Sequence, residues 1–218
     1  MVKLEWYGHS YVIVECEGGV RIAIDPHDGA SLNLPSYRSK ADYLLVTHDH
    51  FDHNAVEMVS VSGDIVRWRT GRINLGNVEV EGLPSYHDKS GGELRGSNTI
   101  YVISGRIRIA HLGDLGHPLT SDLREKLEGV DILILPVGGV YTIDAYEAWE
   151  IVKELNPKLV LPIHFWLPGS TMPLDPLERF LLTAKTRRLR VEGNSIEFSP
   201  EELPEKTTTI IFEKLPRR

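Results

Sequence analysis

Apolar and polar positions follow two different rhythms along this chain, and the change from one to the other predicts its architecture. Residues 4–7, 11–15 and 20–24 are strand-like, and Glu17-Gly18-Gly19 turns the chain between the last two, which predicts an opening meander. Tyr43-Leu44-Leu45-Val46 is a short apolar run of the kind that forms a buried strand. Val78, Val80 and Leu83 give a weaker alternating strand, and Arg106-Ile107-Arg108-Ile109-Ala110 and Leu159-Val160-Leu161-Pro162-Ile163 give two more.

Helical spacing enters later. Thr120 is expected to cap a short helix bearing Leu123 and Leu127 and ending at Gly129. Asp144 and Glu147 form a capping-box signature, and Ala145, Ala148, Trp149, Val152 and Leu155 make an apolar stripe ending before Asn156-Pro157. Asp175-Pro176 opens another helix, with proline at its first position and Leu177, Phe180, Leu181 and Ala184 facing inward. A further helix is expected after His53, capped by Asn54, with Glu57 three residues on and Ala55, Val56, Met58 and Val59 apolar. Strands first, then strand–helix alternation, fit two sheets packed face to face with helices outside.

The chemistry concentrates in Thr47-His48-Asp49-His50-Phe51-Asp52-His53, directly after the apolar strand. Three imidazoles and a carboxylate in one turn are a metal-ligand cluster. His48 and His50 are two apart and point the same way in an extended segment. Asp52 and His53 fall where the chain turns. A catalytic zinc commonly takes three protein ligands and keeps one position open. Four ligands in six residues cannot easily all serve one ion on those terms, so the turn suits two adjacent ions. His87, Asp114 in Leu112-Gly113-Asp114, and His164 each sit at or just beyond the carboxyl end of an expected strand, where sites cluster in such folds. Taken singly, His87 reads equally as a hydrogen-bonded surface residue and Asp114 as a turn cap beside Gly113 and Gly116.

Together these residues resemble the metallo-β-lactamase superfamily, whose His-x-His-x-Asp-His signature is followed by a third His, an Asp in a Gly-Asp turn and a final His. Tyr7-Gly8-His9-Ser10, Ile24-Asp25-Pro26, His111-Leu112-Gly113-Asp114, the run from Pro136-Val137-Gly138-Gly139 to Asp144, and Pro162-Ile163-His164-Phe165 resemble more narrowly the branch containing ascorbate-6-phosphate lactonase. The resemblance implies a four-layer αββα sandwich. It also implies His48, His50 and His87 on one ion, Asp52, His53 and His164 on the other, and Asp114 bridging both. Two divalent ions, less two carboxylates and a bridging hydroxide, leave the centre near plus one, which favours an anionic substrate or a developing oxyanion. The expected activity is dinuclear metal-dependent hydrolysis, by a metal-bridging hydroxide, of a small ester, lactone or phosphorylated metabolite. Zinc leads, although imidazole–carboxylate sites also accept manganese or iron.

Alternatives within the superfamily are a phosphodiesterase or nuclease and a phospholipase D-like activity. A redox di-iron centre is disfavoured because those relatives carry Glu where this chain has His50, and a degenerate metal-binding protein is disfavoured by retention of all seven ligands. Around the ligands, Asp25 is expected to support a ligand His. His9 and His117 are candidates to line the pocket, Tyr141 to donate to an oxyanion, and Arg95 with Lys89 to clamp a phosphorylated substrate. His111 shares parity with Ile107 and Ile109 and reads as a core residue.

Length and charge narrow the setting. At 218 residues, a single hydrolase domain over 1–218 is expected. The net charge of −7 argues against a nucleic-acid partner, and Arg187, Arg188 and Arg190 read as a solvated helix end. With no twenty-residue apolar stretch, no signal-like start and one cysteine, Cys16, the expected location is cytoplasmic. Homo-oligomerisation is open, with the strand-like residues 207–212 a candidate to pair between subunits.

Overall fold

The computed structural model describes residues 1–216. In chain order the strands of the first half are β1 (Val2–Trp6), β2 (Val12–Glu15), β3 (Arg21–Ile24), β4 (Ser39–Ala41), β5 (Tyr43–Val46), β6 (Val59–Val61), β7 (Ile65–Arg67), β8 (Gly71–Leu75), β9 (Val78–Tyr86), β10 (Ser97–Ile103) and β11 (Ile109–His111). Then come α1 (Ser121–Leu127), β12 (Ile132–Pro136), α2 (Ala145–Leu155), β13 (Leu159–Ile163), α3 (Leu177–Thr183), β14 (Arg187–Val191), β15 (Ser195–Phe198) and β16 (Thr208–Phe212). One sheet runs β15-β1-β2-β3-β5-β7, a second runs β14-β16-β13-β12-β11-β10-β9-β8, and β4 pairs with β6 alone.

Strand parity explains how the layers stack. Val12, Val14, Ile22, Ile24 and Leu45 share one core with Val80, Ile100, Ile132 and Val160 of the second sheet. Their opposite-parity neighbours Ile13, Ala23, Leu44 and Val46 pack with Ala41 of β4 and Val59 of β6. The first sheet is therefore buried on both faces. Strands β11, β12, β13, β16 and β14 run parallel to one another, and parallel strands need cover on both sides. Ala148, Ile151 and Val152 of α2 join the main core on this sheet. The four-layer arrangement holds, with the cover over the first sheet built from β4, β6 and a short 3₁₀ turn at Val56–Met58 in place of an α-helix.

The capped helices form where expected. Thr120 accepts from the Leu123 amide, and Asp144 and Glu147 make the full capping box. Pro176 sits one place earlier than expected, at the cap of α3.

Three expectations are corrected. No α-helix follows His53: the Asn54 side chain donates to Asp49 Oδ1 (2.7 Å) instead of capping, and the chain re-extends at β-branched Val59 into β6. Arg187, Arg188 and Arg190 lie on strand β14, not at a helix end. Residues 208–212 form β16, which lies inside the second sheet between β13 and β14 and is not the free terminal strand expected to pair between subunits.

A charged cluster ties the first sheet together. The buried Glu5 carboxylate accepts from Arg21 Nη1 (3.0 Å) and Tyr7 Oη (2.9 Å) and lies 2.9 Å from Lys3 Nζ. Burial would raise its pKa, but the donors Arg21, Lys3 and Tyr7 outweigh burial and hold it at about 2, below the ordinary 4.5. A depressed carboxyl stabilises the fold above its unfolded value and ceases to do so as pH falls through the folded one. Glu5→Gln is expected to cost about 1–3 kcal/mol at pH 7. The gap between the two proteins' urea midpoints should shrink as pH falls from 4.5 toward 2; a gap independent of pH would contradict the assignment.

Candidate metal centre

All seven proposed ligands come from strand ends. His48 to His53 follow β5, His87 follows β9, Asp114 lies just past β11, and His164 follows β13. Donor atoms of His48, His50 and His87 lie within 4.8 Å of one another, and so do those of Asp52, His53, His164 and His9. Asp114 stands between the two sets. Its Oδ2 is 3.0 Å from His87 Nε2, 3.1 Å from His164 Nε2, 3.2 Å from His53 Nε2 and 3.8 Å from His48 Nε2. His9 thus joins Asp52, His53 and His164, and a third grouping of Asp25, His48 and His53 links the two sets.

The donor set fits metal ions. Nε2 of His48, His53 and His164 and Oδ1 of Asp114 are buried without a hydrogen-bond partner. Buried polar atoms are ordinarily satisfied, and a bound cation satisfies these. Burial and the neighbouring His53 push the His48 pKa down to about 3, which leaves it a neutral imidazole, the form that ligates. At His53, burial opposes a charge, but Asp114, Asp52 and Asp25 together hold its pKa well above the ordinary value. Three buried carboxylates around one ring call for positive charge, which divalent ions would supply.

A hydrogen-bonded chain behind the ligands sets their tautomers. Asp25 Oδ2 accepts from His53 Nδ1 (3.0 Å) and from Thr47 Oγ1 (2.7 Å), and Asp25 Oδ1 accepts from the Thr47 amide (2.8 Å). Thr47 Oγ1 in turn accepts from His48 Nδ1 (2.9 Å). Both Nδ1 atoms carry hydrogen, so Nε2 is the nitrogen that each ring turns to the centre. Asn98 plays the matching part across the site: its Oδ1 accepts from the Asp114 amide (3.0 Å) and its Nδ2 donates to Leu112 O and Ser85 Oγ. Gly113 makes room for it, at φ 54° with an added Cβ only 2.4 Å from Asn98 Oδ1. Thr47 and Asn98 were not singled out from sequence. The visible signal for Asn98 is an amide side chain opening the apolar run Ile100 to Ile103.

His9 Nε2 donates to Asp52 Oδ2 (2.9 Å); burial and His164 push its pKa down to about 3, so it is a neutral donor. Strain gathers here: among non-glycine residues, His9, Asp25, Val140 and His164 all have φ between 50° and 61°. Such conformations cost of order 1–3 kcal/mol each and persist where surrounding structure imposes them. A cavity of about 450 Å³ opens onto the centre, with His50, Asp52, His87, Asp114 and His164 on its floor and Tyr141 and Arg95 on its wall. His111 is a core residue, accepting from the Gly113 amide (3.1 Å) with its other nitrogen facing Ser10 O. His117 does not line the cavity: its nitrogens are taken by the Tyr86 amide and Pro118 O. Lys89 is spent on Glu147 (2.5 Å) and is no anion clamp.

Comparison with known proteins agrees with this architecture. A family model for the β-lactamase superfamily domain matches residues 3–164. The chain is 31% identical to a UPF0173 protein of Pyrococcus furiosus, over 87% of this chain and 94% of that one. It is 34% identical to a UPF0173 metal-dependent hydrolase of Thermofilum pendens, over 91% of this chain and all of that one. A solved Thermotoga maritima structure, named as a candidate Zn-dependent hydrolase of the metallo-β-lactamase superfamily, superposes with a TM-score of 0.79 at 30% identity, over 98% of this chain and all of that one. The chain belongs to the metallo-β-lactamase superfamily. Within it, the protein is a metal-dependent hydrolase similar to the UPF0173 group. No helix among the described residues is long and apolar enough to cross a membrane.

Thr47→Val removes the link between His48 and Asp25 while keeping the side chain's shape. It is expected to weaken metal binding about 10- to 100-fold, read by competition with a chromogenic chelator; unchanged affinity would contradict the chain.

Proposed function

We propose that this protein is a dinuclear metal hydrolase of a small ester, lactone or phosphorylated metabolite, acting as one catalytic unit over 1–218. The observation that carries this reading is Asp114 Oδ2, buried within 3.0–3.8 Å of four imidazoles that belong to two separate ligand sets. A carboxylate so placed is built to bridge. His48, His50 and His87 would hold one ion, Asp52, His53 and His164 the other. Two such ions would supply a water deprotonated near neutral pH and Lewis-acid polarisation of the substrate oxygen.

The protein's own residues do the rest. Asp25 and Thr47 lock the ligand tautomers, and His9 holds Asp52 by donating to it. His87, Asp114 and His164 are buried, while half-buried His50 faces the cavity, so substrate enters from that side. Tyr141, half-buried on the cavity wall, offers its hydroxyl to a developing oxyanion. Zinc is the first metal to try, and the cytoplasm the proposed location.

The test is hydrolysis by the zinc- or manganese-loaded protein of three chromogenic classes: p-nitrophenyl esters, aryl lactones and bis(p-nitrophenyl) phosphate. Asp114→Asn is expected to lower kcat/KM by at least about a hundredfold. Near-wild-type turnover would overturn the bridging role, and preference for the phosphodiester would shift the reading to the phosphodiesterase alternative.

A further inference from the structure

The cavity wall carries a cation that no carboxylate of the described residues claims. Lys89, on the same loop, is paired with Glu147, and Arg124 with Glu154. Arg95 has no such partner: its guanidinium lies over the Tyr141 ring, with Cζ 4.3 Å from the centroid, and both side chains line the cavity. Stacking on an aromatic face holds the planar fork while leaving its N–H groups free to donate.

The loop beneath it is fixed. Asp88, next to the proposed ligand His87, accepts from the amides of Ser90 (2.7 Å), Gly92 (3.0 Å), Leu94 (3.1 Å) and Arg95 itself (2.8 Å). Gly96 closes the loop, donating to Gly92 O and accepting from the His87 amide. One carboxylate therefore ties the position of Arg95 to the strand end that presents His87. On the opposite partner, Val140 at φ 61° is a β-branched residue held in left-handed backbone, and it sets the entry to Tyr141.

The remaining wall is of another kind. Phe51, 62% exposed beside the ligands His50 and Asp52, and Met172 and Pro173 present apolar surface to the same space. A cavity of about 450 Å³ is of metabolite size. Such a pocket offers apolar contact beside the proposed ligands and one forked cation on its wall.

We propose that Arg95, seated on Tyr141, is an anion subsite, and that the substrate is an amphipathic one: a hydrolysable ester or lactone whose apolar body meets Phe51 and Met172 and which carries a separate carboxylate or phosphate for Arg95. This deepens the hydrolase reading and rests on it for the position of the scissile bond. The anion subsite itself is tested by equilibrium binding, independent of turnover. The metal-loaded wild type, Arg95→Met and Arg95→Lys are titrated calorimetrically with phenylphosphonate, benzoate and the neutral diethyl phenylphosphonate, and metal content is measured on each sample. Arg95→Met is expected to lose at least tenfold in affinity for the preferred anion and Arg95→Lys to fall between, the neutral diester binding all three alike. Whether phenylphosphonate or benzoate suffers the larger loss assigns the group as phosphate or carboxylate. Equal anion affinity in wild type and Arg95→Met, or no anion binding to wild type, overturns the subsite. A wild-type metal content below two strikes instead at the dinuclear reading, and the affinity ratio still decides the role of Arg95.

Discussion

Three carboxylates, Asp25, Asp52 and Asp114, are buried around the His53 ring, and the rest of the site is arranged to make that tolerable. Burying one unpaired carboxylate is expensive, and burying several around one point requires positive charge at that point. The ring answers in part, its pKa held high by the same three neighbours against the effect of burial. The unpartnered Nε2 atoms of His48 and His164 and Oδ1 of Asp114 face the same space. A pair of cations would satisfy these demands at once, which is the physical reason for reading the cluster as a metal centre and not as a buried ion-pair network.

The scaffold makes this concentration of charge possible by distributing its sources. The proposed ligands leave strands of both sheets, β5 in the first and β9, β11 and β13 in the second, so they meet at the two sheets' carboxyl ends. The core between the sheets, running from Val12 and Ile22 to Ile132 and Val160, fixes those ends relative to one another. Left-handed backbone at Asp25 and His164 is the local cost of turning side chains inward directly after extended segments, and His9 takes the same conformation in the turn after β1. The Asp25–Thr47–His48 chain and the Asn98 brace then remove the remaining freedom of ring orientation and loop position.

Much of this was legible in sequence because the determining signals are local. The Thr120 cap and the Asp144–Glu147 capping box depend on neighbours within a few residues, and both formed as read; the His- and Asp-rich run likewise stands directly after an apolar strand, β5. The failures came where distant contacts decide. Asn54 is a good cap by type, but Asp49 takes its side chain, and β6 is drawn out by pairing with β4. Arg187–Val191 carries three arginines and still forms a strand, because β16 offers it a full parallel register. His117 and Lys89 have the right chemistry for a pocket, yet backbone groups claim the first and Glu147 the second. Thr47 and Asn98 escaped notice because their importance lies in what they touch, 22 and 16 residues away at Asp25 and Asp114.

The central claim is that two ions, not one, sit on either side of Asp114. The most direct measurement is metal stoichiometry: protein stripped with chelator, titrated with Zn²⁺ or Mn²⁺, desalted and taken to elemental analysis. The account predicts close to two ions per chain. A single ion at saturation would contradict it, leaving Asp114 a terminal ligand and not a bridge.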